Sequence, residues 1–321
     1  MTSPERLSTK TAVFAPLIDT SFGIVAEGCH AVDRRDQLGS FTANAENLGE
    51  VEGVEAVIAT GVIGFKAEHM DLLPDLKIIC CFGVGFENVD LEAAKARGIA
   101  VTNAPATNGD TVADHAVGLA LTVARGILET NAAARDGRWM AARKVYRPTL
   151  NGARVGIIGL GAIGEAIARR CAGFDAAIGY FGRNERPNCP YRYYSDVEAM
   201  AADSDFLIVA CPGGPATHHI VNARVLEAMG PSGILVNIGR GTVVDTPALA
   251  NALKKGLIYG AGLDVVEGEP EIPAELADAP NTIITPHMAG RSPVALEAQC
   301  ARALENIGRM SRGEPLVYQV V

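Results

Sequence analysis

The stretch "VGIIGLGAIGEAIARRC" (155–171) constrains the fold more than any other part of the chain. Its apolar start predicts a buried strand, and its Ala-rich end predicts a helix. Between them stand Gly159, Gly161 and Gly164, with the spacing GxGxxG. In such a unit the first glycine permits a tight turn, the second lets a pyrophosphate approach the backbone, and the third allows close helix–strand packing. The stretch therefore predicts a parallel α/β fold that binds a dinucleotide.

Strand-like and helix-like segments alternate along the whole chain, which predicts the α/β class. Apolar runs such as "TAVFAPLI" and "LKIICCFGV" form a first block, and "DFLIVACPG", "GILVNIGRG" and "NTIITPH" belong to a second. Continuous apolar strands are typical of parallel sheets that are covered on both faces. We expect two Rossmann-like or flavodoxin-like domains. Residues 1–103 with 290–321 form a discontinuous substrate-binding domain, and residues 104–289 form the dinucleotide-binding domain.

The segment "GDTVADHAVGLALTVARGILETNAAARDG" joins the two blocks. Its apolar residues recur at helical spacing, and Asp110 or Thr111 can cap the start. The pattern predicts one long helix near 109–136. Such a helix is too long for an ordinary crossover, so we expect it to be a spine between domains or a subunit interface.

Composition excludes several classes of function. The length of 321 residues suits two domains of about 150 residues. A net charge of −9 argues against a nucleic-acid partner. No apolar run reaches the roughly 20 residues of a membrane helix, and the start does not resemble a signal peptide, so we expect a cytoplasmic protein without a membrane partner.

The histidines and cysteines do not predict a metal site. The seven cysteines lack metal-ligand spacing and are expected to be reduced. His218 and His219 are adjacent, so their side chains point different ways, and no third ligand is evident beside them.

The turn "GRNERP" (182–187) decides the predicted cofactor. In this fold the second strand usually ends on an acid that binds the ribose hydroxyls of NAD. Here it ends on Gly182 and Arg183, followed by Asn184 and Arg186. Arginine pairs with phosphate through charge-assisted hydrogen bonds, and Gly182 leaves room where an acid would repel it. The turn predicts NADP(H) over NAD(H), and the alternative is a solvated basic turn without a cofactor role.

Polar residues follow three of the later strands. They are Arg240 in "VNIGRGTVVD", Glu269 in "GLDVVEGEP" and His287 in "ITPHMAG". Ligands of open parallel sheets bind at the carboxyl ends of the strands, so we expect these three side chains to converge. Imidazole titrates near neutral pH and suits proton transfer, and guanidinium suits a carboxylate.

As a set in this order, the three residues resemble the D-2-hydroxyacid dehydrogenase family. The stretches "CFGVGFENVDLEAAKARGIAVTNAP", "NGDTVADHAVGLAL" and "ACPGGPATHHIV" carry the same resemblance, which covers nearly the whole chain. "GRNERP" and "PHMAGRSP" look most like the NADP-linked glyoxylate, hydroxypyruvate and hydroxyphenylpyruvate reductases. The resemblance implies an active site in the cleft between the two domains, and a homodimer.

The resemblance also implies a reaction and its residues. NADPH would reduce a small 2-keto acid, glyoxylate or hydroxypyruvate, to the D-2-hydroxy acid. His287 would protonate the carbonyl oxygen, and Glu269 would orient His287 and favour its charged form. Arg240 would bind the substrate carboxylate, which the backbone N–H groups of Val84 and Gly85 would clamp from the other domain.

The expected cofactor contacts come from several stretches of the second block. Asp264 is similar to the family aspartate that holds the nicotinamide carboxamide, and Cys211, Pro212 and Ile238 should line the nicotinamide. The full expected set is Gly159, Leu160, Gly161, Ala162, Ile163, Gly164, Gly182, Arg183, Asn184, Cys211, Pro212, Thr217, Ile238, Gly239, Asp264, His287 and Gly290.

Other functions compete with this interpretation. The resemblance leaves an aromatic 2-keto acid such as hydroxyphenylpyruvate as the alternative substrate. "ATGVIGF" (59–65) and Trp139 are expected to shape the pocket, but small Gly61 and bulky Ile63 or Phe65 are all available, so the sequence does not decide its size. A phosphite-oxidising relative is disfavoured, since "CFGVGFENVD" lacks the lysine of that branch. A cofactor-sensing corepressor of the C-terminal binding protein type shares the three polar residues. The Arg183 turn favours a reductive enzyme, since those sensors read NAD(H).

Overall fold

The computed structural model describes residues 6–35, 52–61 and 64–321. Ile63, which the sequence offered as a pocket residue, lies outside them. The chain divides into two compact units, Met1–Asn108 with Ser292–Val321, and Gly109–Arg291. The sequence predicted these boundaries after 103 and 289. Each unit is built on a parallel sheet, so the predicted α/β class is confirmed.

The first unit has a five-stranded parallel sheet with the order β2-β1-β3-β4-β5. Its strands are β1 (Lys10–Val13), β2 (His30–Asp33), β3 (Ala56–Ala59), β4 (Ile78–Cys81) and β5 (Ala100–Thr102). Three described helices connect them: α1 (Asp19–Gly28), α2 (Ala67–Asp71) and α3 (Leu91–Ala96). β3 and β4 are fully buried, as expected for central strands covered on both faces.

The second unit has a seven-stranded parallel sheet with the order β12-β11-β10-β9-β6-β7-β8. Its strands are β6 (Arg154–Ile158), β7 (Ala177–Phe181), β8 (Arg192–Tyr194), β9 (Phe206–Val209), β10 (Ile234–Asn237), β11 (Gly260–Leu263) and β12 (Thr282–Ile284). Its helices are α4 (Gly109–Arg125), α5 (Ile127–Arg135), α6 (Trp139–Ala142), α7 (Ala162–Ala172), α8 (Val197–Ala202), α9 (Ala223–Met229), α10 (Thr246–Lys254) and α11 (Ala274–Ala277). The sheet order reverses at β6, which is where dinucleotides bind in such folds.

The single long helix predicted near 109–136 is wrong. Gly126 adopts φ +54°, outside the helical region, and separates α4 from α5. The guanidinium of Arg147 lies where a Cβ at this position would stand, so the break depends on a glycine. Among the described residues no single helix has the length and hydropathy to span a membrane. The pair α4 and α5 meets those criteria only when taken together across a 54° bend.

The chain returns to the first unit for its last helix, α12 (Pro293–Ser311). Ser292 caps it by accepting a hydrogen bond from the Ala295 N–H at 3.2 Å. Leu304 packs directly on Gly28 at the end of α1, where a side chain larger than glycine has no room. The C-terminal segment therefore belongs to the same core as the N-terminal strands.

Candidate active site

Three neighbouring strands of the second sheet deliver polar residues to one edge. β10, β11 and β12 are adjacent and parallel, so their carboxyl ends lie on the same side of the sheet. Arg240, Glu269 and His287 follow these three strands in that order. Side chains far apart in sequence therefore stand on loops of a common edge, where open parallel sheets bind ligands.

His287 and Glu269 are joined by a side-chain hydrogen bond. Nδ1 of His287 lies 3.0 Å from Oε2 and 3.2 Å from Oε1 of Glu269. The two side chains are 32% and 28% exposed, so a ligand can reach them. An imidazole whose Nδ1–H donates to a carboxylate presents Nε2 as its free face. This is the arrangement of an oriented proton donor.

The backbone at His287 is held in an unusual conformation. Its φ is +49°, a left-handed value that few side chains adopt. The N–H groups of Met288 and Ala289 donate to the two carboxylate oxygens of Asp264, at 3.0 and 2.9 Å. The Thr285 hydroxyl donates to the same carboxylate at 2.6 Å. Asp264 is 2% exposed and so anchors the turn that carries His287.

This anchoring was missed in the sequence, which offered Asp264 only as a cofactor contact. Its protein partners lie up to 25 residues further along the chain, and no local motif announces them. His115 on α4 extends the network, since its Nε2 lies 2.9 Å from the Thr285 hydroxyl. The carboxamide contact remains a prediction.

Arg240 stands on a loop that buried polar groups shape. The side chain of Asn237, 1% exposed, accepts from the Gly239 N–H and donates to the Arg240 carbonyl, both at 3.0 Å. A Cβ at Gly241 would collide with the Val266 carbonyl, so this loop packs directly on the one that leads to Glu269. Only glycine permits that approach.

The glycine-rich loop fits a dinucleotide. Gly159 has φ +95°, and a Cβ there would lie 2.8 Å from Cα of Cys211. A Cβ at Gly164 would collide with the Gly159 carbonyl, so helix and strand are in close contact. A Cβ at Gly161 would meet no atom within 4 Å, which leaves the backbone accessible to a ligand. Each of the three positions thus needs a glycine for a different geometric reason, as the fingerprint predicts.

The start of α7 offers backbone donors to an anion. Its first helical hydrogen bond runs from the Glu165 N–H to the Gly161 carbonyl at 2.8 Å. The N–H groups of Ala162, Ile163 and Gly164 precede that bond, and the first turn of a helix has no internal acceptor for such groups. Together with the helix dipole they suit a pyrophosphate.

The two arginines of the basic turn have different surroundings. Arg183 is exposed, and it makes no hydrogen bond or ion pair within the described residues. Arg186 pairs with Glu165 on α7, and its Nη1 donates to the Leu160 carbonyl at 2.6 Å. Arg186 therefore links the turn to the glycine-rich loop, whereas the guanidinium of Arg183 is accessible to a ligand.

Two tyrosines that sequence reasoning missed shape the same turn. The buried Tyr180 hydroxyl accepts from the Arg186 N–H at 2.7 Å. The Tyr193 hydroxyl donates to the Gly182 carbonyl at 3.3 Å. Asn184 is exposed beside them. These bonds hold both ends of the turn, and only the tertiary fold brings Tyr193 near it.

The loop after β9 is apolar at its base and internally bonded at its tip. Cys211 and Ile238 are each 7% exposed. Burial raises the pKa of the Cys211 thiol to about 11, so this side chain is neutral at physiological pH. The Thr217 hydroxyl donates to the Pro212 carbonyl at 2.8 Å. Gly239 packs on the Cys211 carbonyl, and Gly290 is half-buried after the His287 turn.

Sequence comparison agrees with this geometry. The family profile "D-isomer specific 2-hydroxyacid dehydrogenase, NAD binding domain" matches residues 117–289, which include the glycine-rich loop and all three polar residues. The chain belongs to the D-2-hydroxyacid dehydrogenase family. It is accordingly an oxidoreductase with an NAD-binding domain.

The dehydrogenase resembles named reductases over most of its length. It is 42% identical over 272 residues to a hydroxyphenylpyruvate reductase of Plectranthus scutellarioides, which covers 85% of this chain and 87% of the relative. It is 39% identical over 285 residues to a glyoxylate/hydroxypyruvate reductase of Arabidopsis thaliana, covering 87% and 88%. An NADPH-dependent glyoxylate/hydroxypyruvate reductase of Sinorhizobium meliloti, solved with NADP and malonate, has a TM-score of 0.83 and 35% identity over 98% and 97% of the two chains.

The loop after β4 of the dehydrogenase carries the two predicted clamp residues. Val84 is 38% exposed, and its carbonyl accepts from the Asn103 side chain at 2.7 Å. A Cβ at Gly61 would collide with the backbone of Gly85, so two loops of the first unit touch here. Gly83, with φ +111°, makes the turn that exposes this segment.

Trp139 of the dehydrogenase is 60% exposed on α6. The described residues therefore do not enclose this side chain. Its neighbour Met140 is 63% exposed and Tyr146 is fully exposed, so the segment after α5 displays several large apolar side chains.

Proposed function

We propose that this dehydrogenase reduces a small 2-keto acid to the D-2-hydroxy acid with NADPH, and that glyoxylate or hydroxypyruvate is the substrate. The observation that carries the proposal is the His287–Glu269 pair, 3.0 Å apart, on the sheet edge that also bears Arg240. Relatives that are named glyoxylate/hydroxypyruvate reductases support the substrate class.

The chemistry follows from the charges of these groups. The nicotinamide, when bound, supplies hydride to the keto carbon. His287 donates a proton from Nε2 to the carbonyl oxygen, and Glu269 stabilises the charged ring through Nδ1. Arg240 binds the substrate carboxylate and polarises the ketone. The N–H groups of Val84 and Gly85 are the further donors we assign to that carboxylate.

The preference for NADP(H) rests on Arg183. Its exposed guanidinium has no partner within the described residues, whereas Arg186 is already paired with Glu165. A 2′-phosphate would supply the missing partner of Arg183. The NADPH dependence of the Sinorhizobium meliloti relative supports the same assignment.

We also assign a homodimer and a cytoplasmic location. Several large apolar side chains are exposed on α5 and between α5 and β6, and exposed apolar surface is what subunit interfaces cover. They are Ile127, Leu128, Trp139, Met140, Val145 and Tyr146. All seven cysteines are free thiols, which suits a reducing compartment.

Initial rates test the proposal. Oxidation of NADPH and NADH is followed with glyoxylate, hydroxypyruvate and hydroxyphenylpyruvate, and the chirality of the glycerate formed is determined. Wild type should prefer NADPH, and Arg183→Ala should raise KM for NADPH about tenfold or more without changing KM for NADH. Arg224→Ala, on the exposed face of α9, is the matched control. Equal KM values for NADPH in wild type and Arg183→Ala would overturn the cofactor assignment.

Hydroxyphenylpyruvate is the second candidate substrate, because the 42% identical relative is a hydroxyphenylpyruvate reductase. A higher kcat/KM for this keto acid than for hydroxypyruvate would favour it. Absence of turnover with every keto acid would instead favour a cofactor-sensing corepressor.

A further inference from the structure

The second unit contains another histidine–carboxylate pair. Nε2 of His219 lies 2.8 Å from Oε1 of Glu267, two residues before Glu269. The other oxygen of Glu267 accepts from the Thr246 N–H at 3.3 Å. The side chains of His219 and Glu267 are 33% and 25% exposed, so both are partly buried.

This pair joins loops that carry proposed site residues. The His219 N–H donates to the Thr242 carbonyl at 2.9 Å, and Thr242 lies two residues after Arg240. The neighbouring Val221 N–H donates to the Val243 carbonyl at 3.1 Å, which continues the connection. His219 is thus bonded through its backbone to the Arg240 loop and through its ring to the Glu269 loop.

A cluster of two histidines and a glutamate can also bind a metal ion. Ligating atoms of His218, His219 and Glu267 lie within 4.8 Å of one another, which supplies the third ligand that the sequence did not reveal. However, the two side chains do not point different ways, as their adjacency predicted. Their imidazole rings stack, with centroids 3.9 Å apart and planes at 28°. Ring nitrogens bind metals in the ring plane at about 2.0–2.1 Å, so nearly parallel rings direct their lone pairs past a common ion. The geometry favours a hydrogen-bonded pair.

A negative charge on Glu267 strengthens the hydrogen bonds that it accepts from His219 and from the Thr246 N–H. Burial raises the pKa of this carboxyl, but hydrogen bonds from Thr246 and His219 outweigh burial and place the pKa below its usual range. The carboxylate is therefore ionised at neutral pH and accepts both bonds. Asp245, whose Oδ2 lies 4.0 Å from Nδ1 of His219, adds a second negative charge on the other side of the ring.

We propose that His219 and Glu267 are positioning residues for the reductase reaction. Their hydrogen bond holds the Glu269 loop against the Arg240 loop, so that Glu269 stays aligned with His287. The inference rests on the function proposed above, because it takes the roles of Arg240, Glu269 and His287 from there. Small displacements of a catalytic group cost up to about a hundredfold in rate, so the pair affects turnover without contact with substrate.

A double-mutant cycle tests the pair. His219→Leu and Glu267→Leu are each expected to lower kcat about tenfold or more while KM for NADPH stays within about twofold. The double variant should lose no more than either single variant, because both break one interaction. His219→Gln, whose amide nitrogen takes the place of Nε2, should restore much of kcat. His218→Leu changes the adjacent, exposed imidazole and is expected to retain wild-type kcat.

The pH profile separates positioning from a merely structural role. Reduction requires protonated His287, so a misplaced Glu269 should move the basic limb of kcat/KM to lower pH in His219→Leu. Simple loss of folded enzyme scales the profile without moving the limb. Thermal melts of every variant determine the folded fraction.

Several results would overturn the proposal. They are additive losses in the double variant, an unmoved basic limb, or a loss in His218→Leu equal to that in His219→Leu. Inhibition of wild type by EDTA with recovery on addition of Zn²⁺ would establish the metal site instead. His287→Gln is measured in parallel, because turnover retained by that variant refutes the proposed function itself, whatever the His219 variants show.

Discussion

The His287 N–H donates to the backbone carbonyl of Asp264 at 2.8 Å, and the next two N–H groups donate to the Asp264 carboxylate. A single buried residue thus holds a turn whose central φ is +49°. The conformation of the turn that carries His287 thus depends on an acid that directly follows β11.

Asp264→Asn should destabilise the dehydrogenase and slow it. The amide replaces one acceptor oxygen with a donor, which leaves a buried N–H without a partner at a cost of about 1–3 kcal/mol. Urea unfolding measures the loss, and kcat is expected to fall as well. Asp278→Asn, an exposed change in the same unit, is the control. Equal unfolding free energies for Asp264→Asn and wild type would show that the carboxylate does not hold the turn.

Gly164→Ala should weaken dinucleotide binding. The added Cβ collides with the Gly159 carbonyl, so α7 must move away from the loop that faces the pyrophosphate. Overpacking of this kind typically costs about 1–3 kcal/mol. Quenching or enhancement of NADPH fluorescence on titration gives Kd, which we expect to rise about tenfold.

The matched control for that variant is Gly118→Ala. Gly118 lies inside α4, where a Cβ meets no atom within 4 Å. Because alanine favours helix, this variant should gain about 0.5–1 kcal/mol and bind NADPH as wild type does. A similar Kd for the two variants would contradict the packing argument.

Asp205 should make stability depend on pH in the acid range. A side-chain hydrogen bond from Arg154 holds the pKa of this carboxyl below its usual range, and the Arg154 N–H adds to the effect. A carboxyl with a lowered pKa in the folded state stabilises the fold above its unfolded pKa of about 3.9. That contribution disappears as pH falls through the lower, folded-state pKa.

Asp205→Asn should therefore lower the urea midpoint at pH 7, and its difference from wild type should shrink as the pH is reduced toward about 4 and below. Asp278→Asn again serves as the control. A constant difference at every pH would show that ionisation of Asp205 is not the source of the stabilisation.

Thiol labelling should single out Cys189. Burial raises the pKa of Cys80 and Cys81 to about 12, and that of Cys171, Cys211 and Cys300 to about 11. Cys29 is buried as well, whereas Cys189 is half-buried. Because the thiolate is the reactive form, iodoacetamide at pH 8 should modify Cys189 first.

Mass spectrometry of the alkylated native protein identifies the labelled position. Cys189→Ser should remove the fast phase of the reaction, while Cys171→Ser should leave it unchanged. Fast labelling of any fully buried cysteine would indicate local opening of the core around it.

Motifs whose geometry depends only on neighbouring residues could be predicted from the sequence. The fingerprint glycines and the strand-end positions of Arg240, Glu269 and His287 depend on segments of a few residues and on one rule for parallel sheets. The α/β class followed for the same reason, because each unit repeats a local strand–helix pattern.

Features that depend on contacts between residues far apart in sequence could not be predicted. At the break, the guanidinium of Arg147 occupies the space that a Cβ at Gly126 would need, and a helical periodicity does not record that contact. The sequence offered Arg186 as a second phosphate ligand, but in the structure its guanidinium pairs with Glu165. His219 lacked a partner in sequence because Glu267 lies 48 residues away. In each case the missing information is a tertiary neighbour.

The turn that carries Arg183 ends with the Cys189 N–H donating to the Arg186 carbonyl at 3.3 Å. An environment-sensitive dye on this one accessible thiol would sit at the end of the proposed phosphate site. The fluorescence of that dye would then report dinucleotide binding separately from the chemical step.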